Sequence, residues 1–375
     1  MTSEQTQSPF GELPGALVEE MLNKSEQIGT DLYNSYSAIK QNKESIKKQL
    51  VSSGKLQHES IYGNPRIPTT CGVDGARAIE RLLSMDFAAC AAVGVEGLTP
   101  PAESRKWEGP THDVYISPLV HHIANPRVIG GKMLSMEAIL ASNAPHDLVF
   151  LDGSFTTPLI HVNAAMNAAL ESKDQKLKDI IINQFEDFLK SYKMILESSR
   201  TDKIFASLPK YTTKRELGEE FGWPQQYDDR AVLTTILRPG ELIKPTPLKQ
   251  DADAWHLKAP SDEYNQLIDD VISALSKIHV LYYRPNPWTP VLRIEISNSI
   301  VKNDARLGTL LQGIKFQCGA PGIMEPYPLF IADRMVKNIS TGLSAIRQCS
   351  TRQMVELDNT PDLSDIFFIM TRYRT

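Results

Sequence analysis

The sequence contains few cysteines, no long apolar run and no excess of positive charge. Its four cysteines, Cys71, Cys90, Cys318 and Cys349, form no CxxC pair. This spacing argues against a zinc site or a disulfide framework and favours reduced thiols. No apolar run approaches the length of about 18 residues that a membrane-spanning helix needs. These absences argue against a secreted or membrane protein, and we expect a cytoplasmic one.

The charge balance is mildly acidic, with a formal net charge of −5 and an isoelectric point of about 6.0. No general positive field therefore indicates nucleic-acid binding, although a local basic groove would be hidden in the sum. Hydrophobic residues make up 41% of the 375-residue chain and charged residues 23%, which is typical of a soluble globular protein. The polar N-terminus contains no apolar signal core.

We predict four regions along the chain: a loose tail at 1–15, an N-terminal helix at 16–55, an α/β domain at 60–345 and a C-terminal extension at 346–375. Within the helix, apolar residues recur at intervals of three, four or seven positions, which is typical of an amphipathic helix. These residues are Val18, Met21, Ile28, Leu32, Ile39, Ile46 and Leu50. Such a helix either packs on its own domain or protrudes and pairs with a second subunit.

Apolar runs and amphipathic stretches alternate through the rest of the chain, which favours a mixed sheet flanked by helices. The predicted strands lie at 87–97, 111–119, 146–154, 203–210, 279–285 and 290–297. The predicted helices lie at 131–144, 174–198, 262–278 and 326–340. A short strand and a turn are predicted at 69–78. The stretch 237–255 is rich in proline and lysine, and is predicted to be a loop or insertion.

Two short patterns place an aspartate and a glycine after an apolar run: CGVDGAR at 71–77 and VFLDGSF at 149–155. A strand of Val, Phe and Leu is buried on both faces of a covered sheet, and its far end reaches the rim where ligands bind. Either aspartate alone also fits a cap of the following turn. If the two strands are neighbours, Asp74 and Asp152 meet at one rim. They then repel each other unless a cation such as Mg²⁺ or Mn²⁺ lies between them.

Two further acids lie in apolar helical contexts. Glu137 lies within MLSMEAIL and Asp333 within FIADRMV, where an unpaired carboxylate is costly. Glu137 also fits a solvated helix face, and Asp333 also fits an ion pair with a nearby Arg or Lys. Both remain candidates for completing a metal site.

Six motifs occur in one order along about residues 68–340: GVDGAR, EAIL with DLVFLDGSF, SLPK, DDRAVLTTILRPGE, LYYRP with VLRIEI, and EPYPLFIADRMVKNIS. In this order and context they resemble the NurA family, DNA-end-processing nucleases that work with the HerA translocase. The resemblance implies an RNase H-like core with acids on the first strand, first helix, fourth strand and last helix. It also implies DNA as substrate, a HerA-type hexameric ATPase as partner and a homodimer.

Carried over residue by residue, the resemblance implies that Asp74, Glu137 and Asp152 bind the metal. The spacing between Glu137 and Asp152 is elastic in this family. Glu96 and Glu103 therefore compete with Glu137 for the helix position.

Asp333 matches the C-terminal ligand position of the family, where some members have a histidine, and either residue binds Mn²⁺. Lys210, at the end of SLPK, matches a family lysine that could contact the scissile phosphate. The implied chemistry is hydrolysis of DNA with two Mn²⁺ or Mg²⁺ ions about 3.5–4 Å apart.

Basic and aromatic residues are candidates for DNA contact: Lys210, Tyr211, Arg284 and Arg293. Arg293 alternates with Glu295 on a strand, so a salt bridge between these two is an equal possibility. We predict a Mn²⁺- or Mg²⁺-dependent deoxyribonuclease in DNA repair or in defence against phage. Two alternatives remain: a catalytically silent subunit that clamps a partner ATPase, and an actin-like phosphotransferase or ATPase.

Overall fold

The computed structural model describes residues 11, 13–210, 212–249, 255–357 and 363–372. Within them, nine strands form one mixed sheet with helices on both faces. The strands are β1 (Leu56–His58), β2 (Thr70–Arg81), β3 (Asp86–Glu96), β4 (Thr111–Leu119), β5 (Leu148–Asp152), β6 (Ile204–Leu208), β7 (Glu241–Pro247), β8 (His279–Tyr283) and β9 (Leu292–Ile296).

The helices of the described residues are α1 (Gly15–Asn23), α2 (Ser25–Ser52), α3 (Asn125–Asn143), α4 (Thr157–Glu171), α5 (Gln175–Ile182), α6 (Phe185–Glu197), α7 (Glu216–Phe221), α8 (Asp229–Ile236), α9 (Asn265–Leu275), α10 (Asn298–Val301), α11 (Asp304–Gln317), α12 (Tyr327–Val336), α13 (Ile339–Leu357) and α14 (Leu363–Ile369). None of them is both long and apolar enough to cross a membrane.

Along the sheet the strands follow the order β1-β7-β8-β9-β6-β5-β2-β3-β4. β2 pairs in parallel with β5 and antiparallel with β3. β5 continues in parallel with β6, whereas β3 pairs antiparallel with β4 at the edge of the sheet. This mixed sheet, flanked by helices and preceded by a helical arm, confirms the predicted RNase H-like α/β class.

The side chains of β5 show how the chain covers both faces of the sheet. Val149 and Leu151 belong to an apolar cluster that includes helices α3 to α6. Leu148 and Phe150 belong to a second cluster, which includes α11 and α12. Because side chains alternate along a strand, Asp152 projects to the same face as Leu148 and Phe150, which is the face of α12.

Helix α12 packs closely on β2 because Gly72 has no side chain. A Cβ atom at this position would lie 2.5 Å from the backbone nitrogen of Leu329. The helix begins after Pro326 and has Pro328 in its first turn, where proline is tolerated because the first N–H groups of a helix lack intrahelical partners. This confirms the predicted proline-initiated helix and places its residues over β2 and β3.

Several local predictions were wrong in detail. β2 does not turn after Asp74 but continues to Arg81, because β3 pairs with it along this whole length. The stretch 237–255, predicted to be a loop, contains β7, whose residues pair with both β1 and β8. The predicted helix at 174–198 is two helices, α5 and α6. Helices α4 and α11 were not predicted, since their alanines and glycines give weak apolar periodicity.

The N-terminal arm consists of α1 and α2, which are separated at Lys24, so the predicted single helix at 16–55 is interrupted. The second half of the arm packs on the domain through Ile39, Ile46 and Leu50, which are buried. The first half leaves its large apolar side chains exposed to solvent. These are Leu17, Met21, Leu22, Ile28, Leu32, Tyr33 and Tyr36, and Leu13, just before α1, is also exposed.

Candidate metal centre

Three aspartates from distant parts of the chain converge where β5 ends beside β2. Asp74 lies on β2, Asp152 is the last residue of β5 and Asp333 lies on α12. One carboxylate oxygen of each lies within 4.8 Å of those of the other two. Parallel pairing places Val73 opposite Leu151, so Asp74 and Asp152 are the next residues on two neighbouring strands. The two strand–Asp–Gly patterns therefore meet at one rim of the sheet.

Each strand aspartate is held by the glycine that follows it. The N–H groups of Gly75 and Gly153 donate to Oδ1 of Asp74 and Asp152, both at 2.8 Å. Gly153 has a φ angle of 76°, a left-handed conformation that glycine adopts without steric cost, and β5 ends there. β2 continues because β3 remains paired with it. The same dipeptide thus ends one strand and lies within the other.

Asp333 reaches the cluster from α12, on the same face of the sheet as Asp152. On β2, Gly72 faces α12, and Asp74 projects to that face because it is two residues further along the strand. Nζ of Lys337, one helical turn after Asp333, donates to its Oδ2 at 2.6 Å. Asp333 therefore lies in the acid cluster and also forms the predicted kind of ion pair.

The cluster holds more negative charge than its neighbours balance. Burial raises the pKa of Asp74 to about 7, and the charge of Asp152 adds to this effect. Burial acts on Asp333 in the same direction, but the hydrogen bond from Lys337 and the charge of Lys210 lower its pKa. The raised pKa of Asp74 thus reflects a buried carboxylate with a second negative charge close to it.

The side chain of Lys210 lies among the carboxylates. Its Nζ lies 3.1 Å from Oδ2 of Asp152, 3.2 Å from Oδ1 of Asp333 and 3.3 Å from Oε2 of Glu325. Burial alone would lower the pKa of Lys210, but the charges of Asp152, Glu325 and Asp333 raise it. The contact with Glu325 is an ion pair without hydrogen-bond geometry, since Oε2 forms no hydrogen bond among the described residues.

Glu325 was missed by sequence reasoning. It directly precedes the proline that starts α12, and the charges of Asp152 and Asp333 act on it. Burial raises its pKa, and Lys210 partly offsets this effect. The available signal was its place at the start of the EPYPLF motif, beside a helix already predicted to carry a ligand.

Glu137 approaches the cluster from the opposite face of the sheet, on α3. A Cβ atom at Gly75 would lie 2.2 Å from its Oε1, so the glycine leaves space for this carboxylate. Burial, together with the charges of Asp74 and Asp152, raises the pKa of Glu137 well above its ordinary value. Glu137 and Asp152 line one small cavity. Glu137 is not one of the three acids whose oxygens lie within 4.8 Å of one another, and its role as a ligand stays a prediction.

Arg293 is buried and forms hydrogen bonds with other side chains of the protein. Its NH1 donates to Oε1 of Glu216 at 3.0 Å, and its NH2 donates to Oε1 of Glu295 at 3.2 Å. NH1 also donates to the hydroxyl of Tyr282 at 3.1 Å. Burial alone would lower the pKa of Arg293, but these neighbours raise it. The salt bridge weighed from the sequence is thus present, and a DNA contact by Arg293 stays a prediction.

Arg284 lies at the same rim but further along the sheet. It follows β8, three strands away from β5, or roughly 14 Å at the usual strand spacing. Its NH1 donates to the carbonyls of Thr234 and Leu237, at 3.1 and 2.7 Å. A DNA contact by this residue also stays a prediction. Tyr211 lies outside the described residues.

Glu96 and Glu103, the two alternatives to Glu137, form hydrogen bonds or ion pairs outside the acid cluster. Glu96 accepts hydrogen bonds from the backbone N–H groups of Lys106 and Trp107. Glu103 forms an ion pair with Arg66. Within the described parts of the chain, neither acid belongs to the group that could share an ion.

The donor set fits a divalent cation of the Mg²⁺ or Mn²⁺ type. Such ions bind carboxylate oxygens at about 2.0–2.2 Å, so two oxygens on one ion lie at most about 4.4 Å apart. The observed separations, all within 4.8 Å, need only small side-chain rotations to match. Burial and repulsion by Asp152 together raise the pKa of Asp74, and a bound cation relieves both effects by compensating the negative charge.

A sequence model of the NurA domain matches residues 122–338, more than half of the chain. The chain belongs to the NurA family. The family predicted from the motifs is therefore confirmed, and the match includes Glu137, Asp152 and Asp333 but not Asp74. No curated protein matches this NurA-family chain by sequence.

Solved NurA structures share the fold over nearly the whole chain. The NurA nuclease from Sulfolobus solfataricus matches with a TM-score of 0.61 at 15% identity, covering 93% of this chain and 100% of the other. A NurA structure with manganese matches with a TM-score of 0.55 at 12% identity, covering 90% and 99%. A third, bound to dAMP and manganese, matches with a TM-score of 0.51 at 14% identity, covering 84% and 93%. At these identities the likeness concerns the fold alone.

Proposed function

We propose that this NurA-family chain is a divalent-metal-dependent deoxyribonuclease that hydrolyses phosphodiester bonds at DNA ends. The observation that supports this is the convergence of Asp74, Asp152 and Asp333 beside Lys210 at one rim of an RNase H-like sheet. A nucleotide and a divalent ion at such a site would also fit the structural relative described as bound to dAMP and manganese.

Asp74, Asp152 and Asp333 would hold the metal, and Glu137 would add a fourth carboxylate from the face of α3. When bound, Mg²⁺ or Mn²⁺, as one ion or two, supplies an activated water and stabilises the leaving 3′-oxygen. The chain's own contribution is rigid placement. Two carboxylates lie on paired strands, and the third lies on a helix that Gly72 allows to pack closely.

Lys210 would contact the scissile phosphate. Its ammonium group is protonated at neutral pH, since the surrounding carboxylates raise its pKa. On substrate binding, a phosphate oxygen replaces one of these carboxylates as its acceptor, while Glu325 continues to hold the ammonium group. Glu325 is therefore a positioning residue for Lys210.

A homodimer and a HerA-type ATPase partner are part of the same proposal. The first half of the arm exposes a stripe of large apolar side chains, with Leu32 67% exposed, which a second subunit would cover. The acidic net charge gives no general attraction for DNA, so a translocase would deliver the end. Analytical ultracentrifugation of Leu32→Glu is expected to show a monomer. A dimer that persists in this variant excludes the stripe as the interface.

The nuclease is tested with purified protein, Mn²⁺ and end-labelled linear DNA. We expect slow degradation that EDTA stops. Asp152→Asn should lower the rate by more than about 100-fold, since loss of an outer contact to a metal site alone costs 10–100-fold. Asp202→Asn, on an exposed side chain outside the cluster, is the matched control and should retain activity. Cleavage that survives Asp152→Asn and Asp74→Asn contradicts the proposal.

One observation favours the alternative of a catalytically silent subunit. Lys210 and Lys337 both pair with cluster acids, and so partly neutralise them without a metal. Calorimetric titration of the metal-free protein with Mn²⁺ separates the two functions. The nuclease requires binding that Asp152→Asn abolishes, whereas a folded protein that binds no Mn²⁺ favours the silent subunit. ATP hydrolysis without DNA would instead point to the actin-like alternative.

A further inference from the structure

We propose that a cavity beside the acid cluster binds an unpaired nucleotide of the substrate strand, with its base against Trp255 and its phosphate near Lys214 and Lys249. This inference rests on the proposed nuclease function and deepens it, because it assigns the kind of strand that the site accepts. The cavity has a volume of about 450 Å³, which lies within the usual range for small-molecule sites, about 300–1,000 Å³.

The cavity adjoins the acid cluster along two segments of chain. Ser154, in its wall, lies two residues after Asp152, and Pro209 directly precedes Lys210. Since consecutive Cα atoms are about 3.8 Å apart, both wall residues lie within about 8 Å of a cluster residue along the backbone. A strand held at the cluster therefore reaches the cavity with a neighbouring nucleotide.

The cavity and the cluster lie on opposite faces of the sheet and meet at its rim. Asp152 and Lys210 project to the face of α12. Arg293 and Glu295, which line the cavity, alternate with Leu292, Ile294 and Ile296 of the α12-side cluster and so project to the other face. A strand that contacts both sites must bend sharply over the end of β5. Duplex DNA resists such a bend, with a persistence length of about 50 nm, whereas an unpaired strand does not.

The cavity lining combines an aromatic ring with two lysines that form no ion pair with any acid of the described residues. Trp255 is partly exposed, and its Nε1 is buried without a hydrogen-bond partner in the described structure. The segment after it is held on α4, because the N–H of Lys258 donates to Oδ1 of Asn163 at 2.9 Å. Lys214 and Lys249 are exposed, and no acid among the described residues pairs with either. An aromatic face and unpaired cations are the means by which proteins bind single strands.

At the floor of the cavity, the side chains of Glu295 and Arg293 already form hydrogen bonds within the protein. Oε2 of Glu295 accepts from the hydroxyl of Ser154 and from the N–H of Phe155, both at 2.8 Å. Arg293 donates to Glu295 from below. Because Arg293 already donates to acids inside the protein, we assign the phosphate contact to the two lysines of the wall, Lys214 and Lys249.

The test measures binding of labelled oligo-dT to the full-length Asp152→Asn protein in EDTA, by fluorescence anisotropy. Trp255→Ala should weaken binding about tenfold or more, since stacking of one base is worth about 1–3 kcal/mol. Lys214→Ala and Lys249→Ala should each weaken it and lower the slope of log affinity against log salt by about one. Trp255→Phe retains an aromatic face and should bind within about threefold of the parent.

Trp288→Ala and Lys302→Ala are the controls, since Trp288 is an exposed tryptophan outside this cavity and Lys302 lines a different one. Both should bind like the parent. A blunt duplex should bind more weakly than oligo-dT and should not respond to Trp255→Ala. Unchanged oligo-dT affinity in Trp255→Ala, or an equal loss with duplex, overturns the proposal. Because the assay needs no cleavage, its failure is separate from a failure of the wild-type protein to degrade DNA.

Discussion

Two groups of charged side chains lie next to each other at the rim of the sheet, and they are balanced differently. In the Arg293 network, Glu295 accepts hydrogen bonds from Arg293, from a serine hydroxyl and from a backbone N–H. In the acid cluster, Asp74 accepts a hydrogen bond from the next backbone N–H. Burial and the charge of Asp152 raise the pKa of Asp74 to about 7.

The difference separates a structural group from a functional one. A buried charge whose hydrogen bonds are complete fixes the chain around it, and here it ties β9 to the turn after β5. Carboxylates that repel each other reduce the stability of the free protein, and they are retained where a cation or substrate compensates them. The four variants below test this contrast.

Glu295→Gln is expected to lower the free energy of unfolding by about 3–5 kcal/mol, because it leaves Arg293 buried without its full compensating charge. Urea denaturation in EDTA measures this. Glu186→Gln, in an exposed pair with Lys190, is the control and should change stability by less than about 0.5 kcal/mol. A loss below about 1 kcal/mol for Glu295→Gln would show that the network does not stabilise the fold.

Gly75→Ala is expected to lower Mn²⁺ affinity and cleavage rate by about 10–100-fold, because the added methyl group occupies the space of the Glu137 carboxylate. Calorimetry and the end-labelled DNA assay measure the two effects. Gly342→Ala, on α13 with no atom within 4 Å of an added Cβ, should leave both unchanged. Normal Mn²⁺ affinity in Gly75→Ala would show that Glu137 does not contribute to metal binding.

Lys210→Met should have opposite effects on binding and catalysis. Removal of a positive charge from among the carboxylates should strengthen Mn²⁺ binding, by up to about tenfold. The cleavage rate should fall at saturating Mn²⁺, since the phosphate contact is lost. Calorimetry and cleavage at saturating metal measure these two quantities. Weaker Mn²⁺ binding in this variant would mean that Lys210 supports the metal site rather than competing with the metal.

Asp74→Asn should stabilise the metal-free protein by about 1 kcal/mol, or roughly 2 °C in Tm, because it removes a buried charge that Asp152 also repels. The pKa of Asp74 is higher in the folded chain than its ordinary value of about 3.9. The gain is therefore complete above pH 7 and disappears as the pH falls towards 4. Differential scanning calorimetry in EDTA at several pH values measures it. If Asp74→Asn instead lowers the stability, as Glu295→Gln is expected to do, then the acid cluster stabilises the fold in the same way as the Arg293 network.

Local sequence patterns were enough to predict much of the candidate site. An apolar strand that ends in Asp–Gly predicts an acid at a rim, and this pattern is enough to single out Asp74 and Asp152. The apolar helical context also singled out Asp333, the NurA resemblance added Lys210, and the structure brings both to the same rim. Local pattern failed for Glu325 and for β7, where no apolar alternation or helical period distinguishes the segment.

The sequence by itself determined most of the strands, though not β7, and it determined which acids the strands of the site carry, because apolar runs and alternation are local properties of the chain. Only the tertiary structure decided that β2 and β5 are neighbours, that Gly75 admits Glu137, and that Glu295 is committed to Arg293. These outcomes depend on which distant segments pair. Whether a carboxylate is satisfied or left to bind a ligand is therefore set by its neighbours in space and not by its neighbours in the chain.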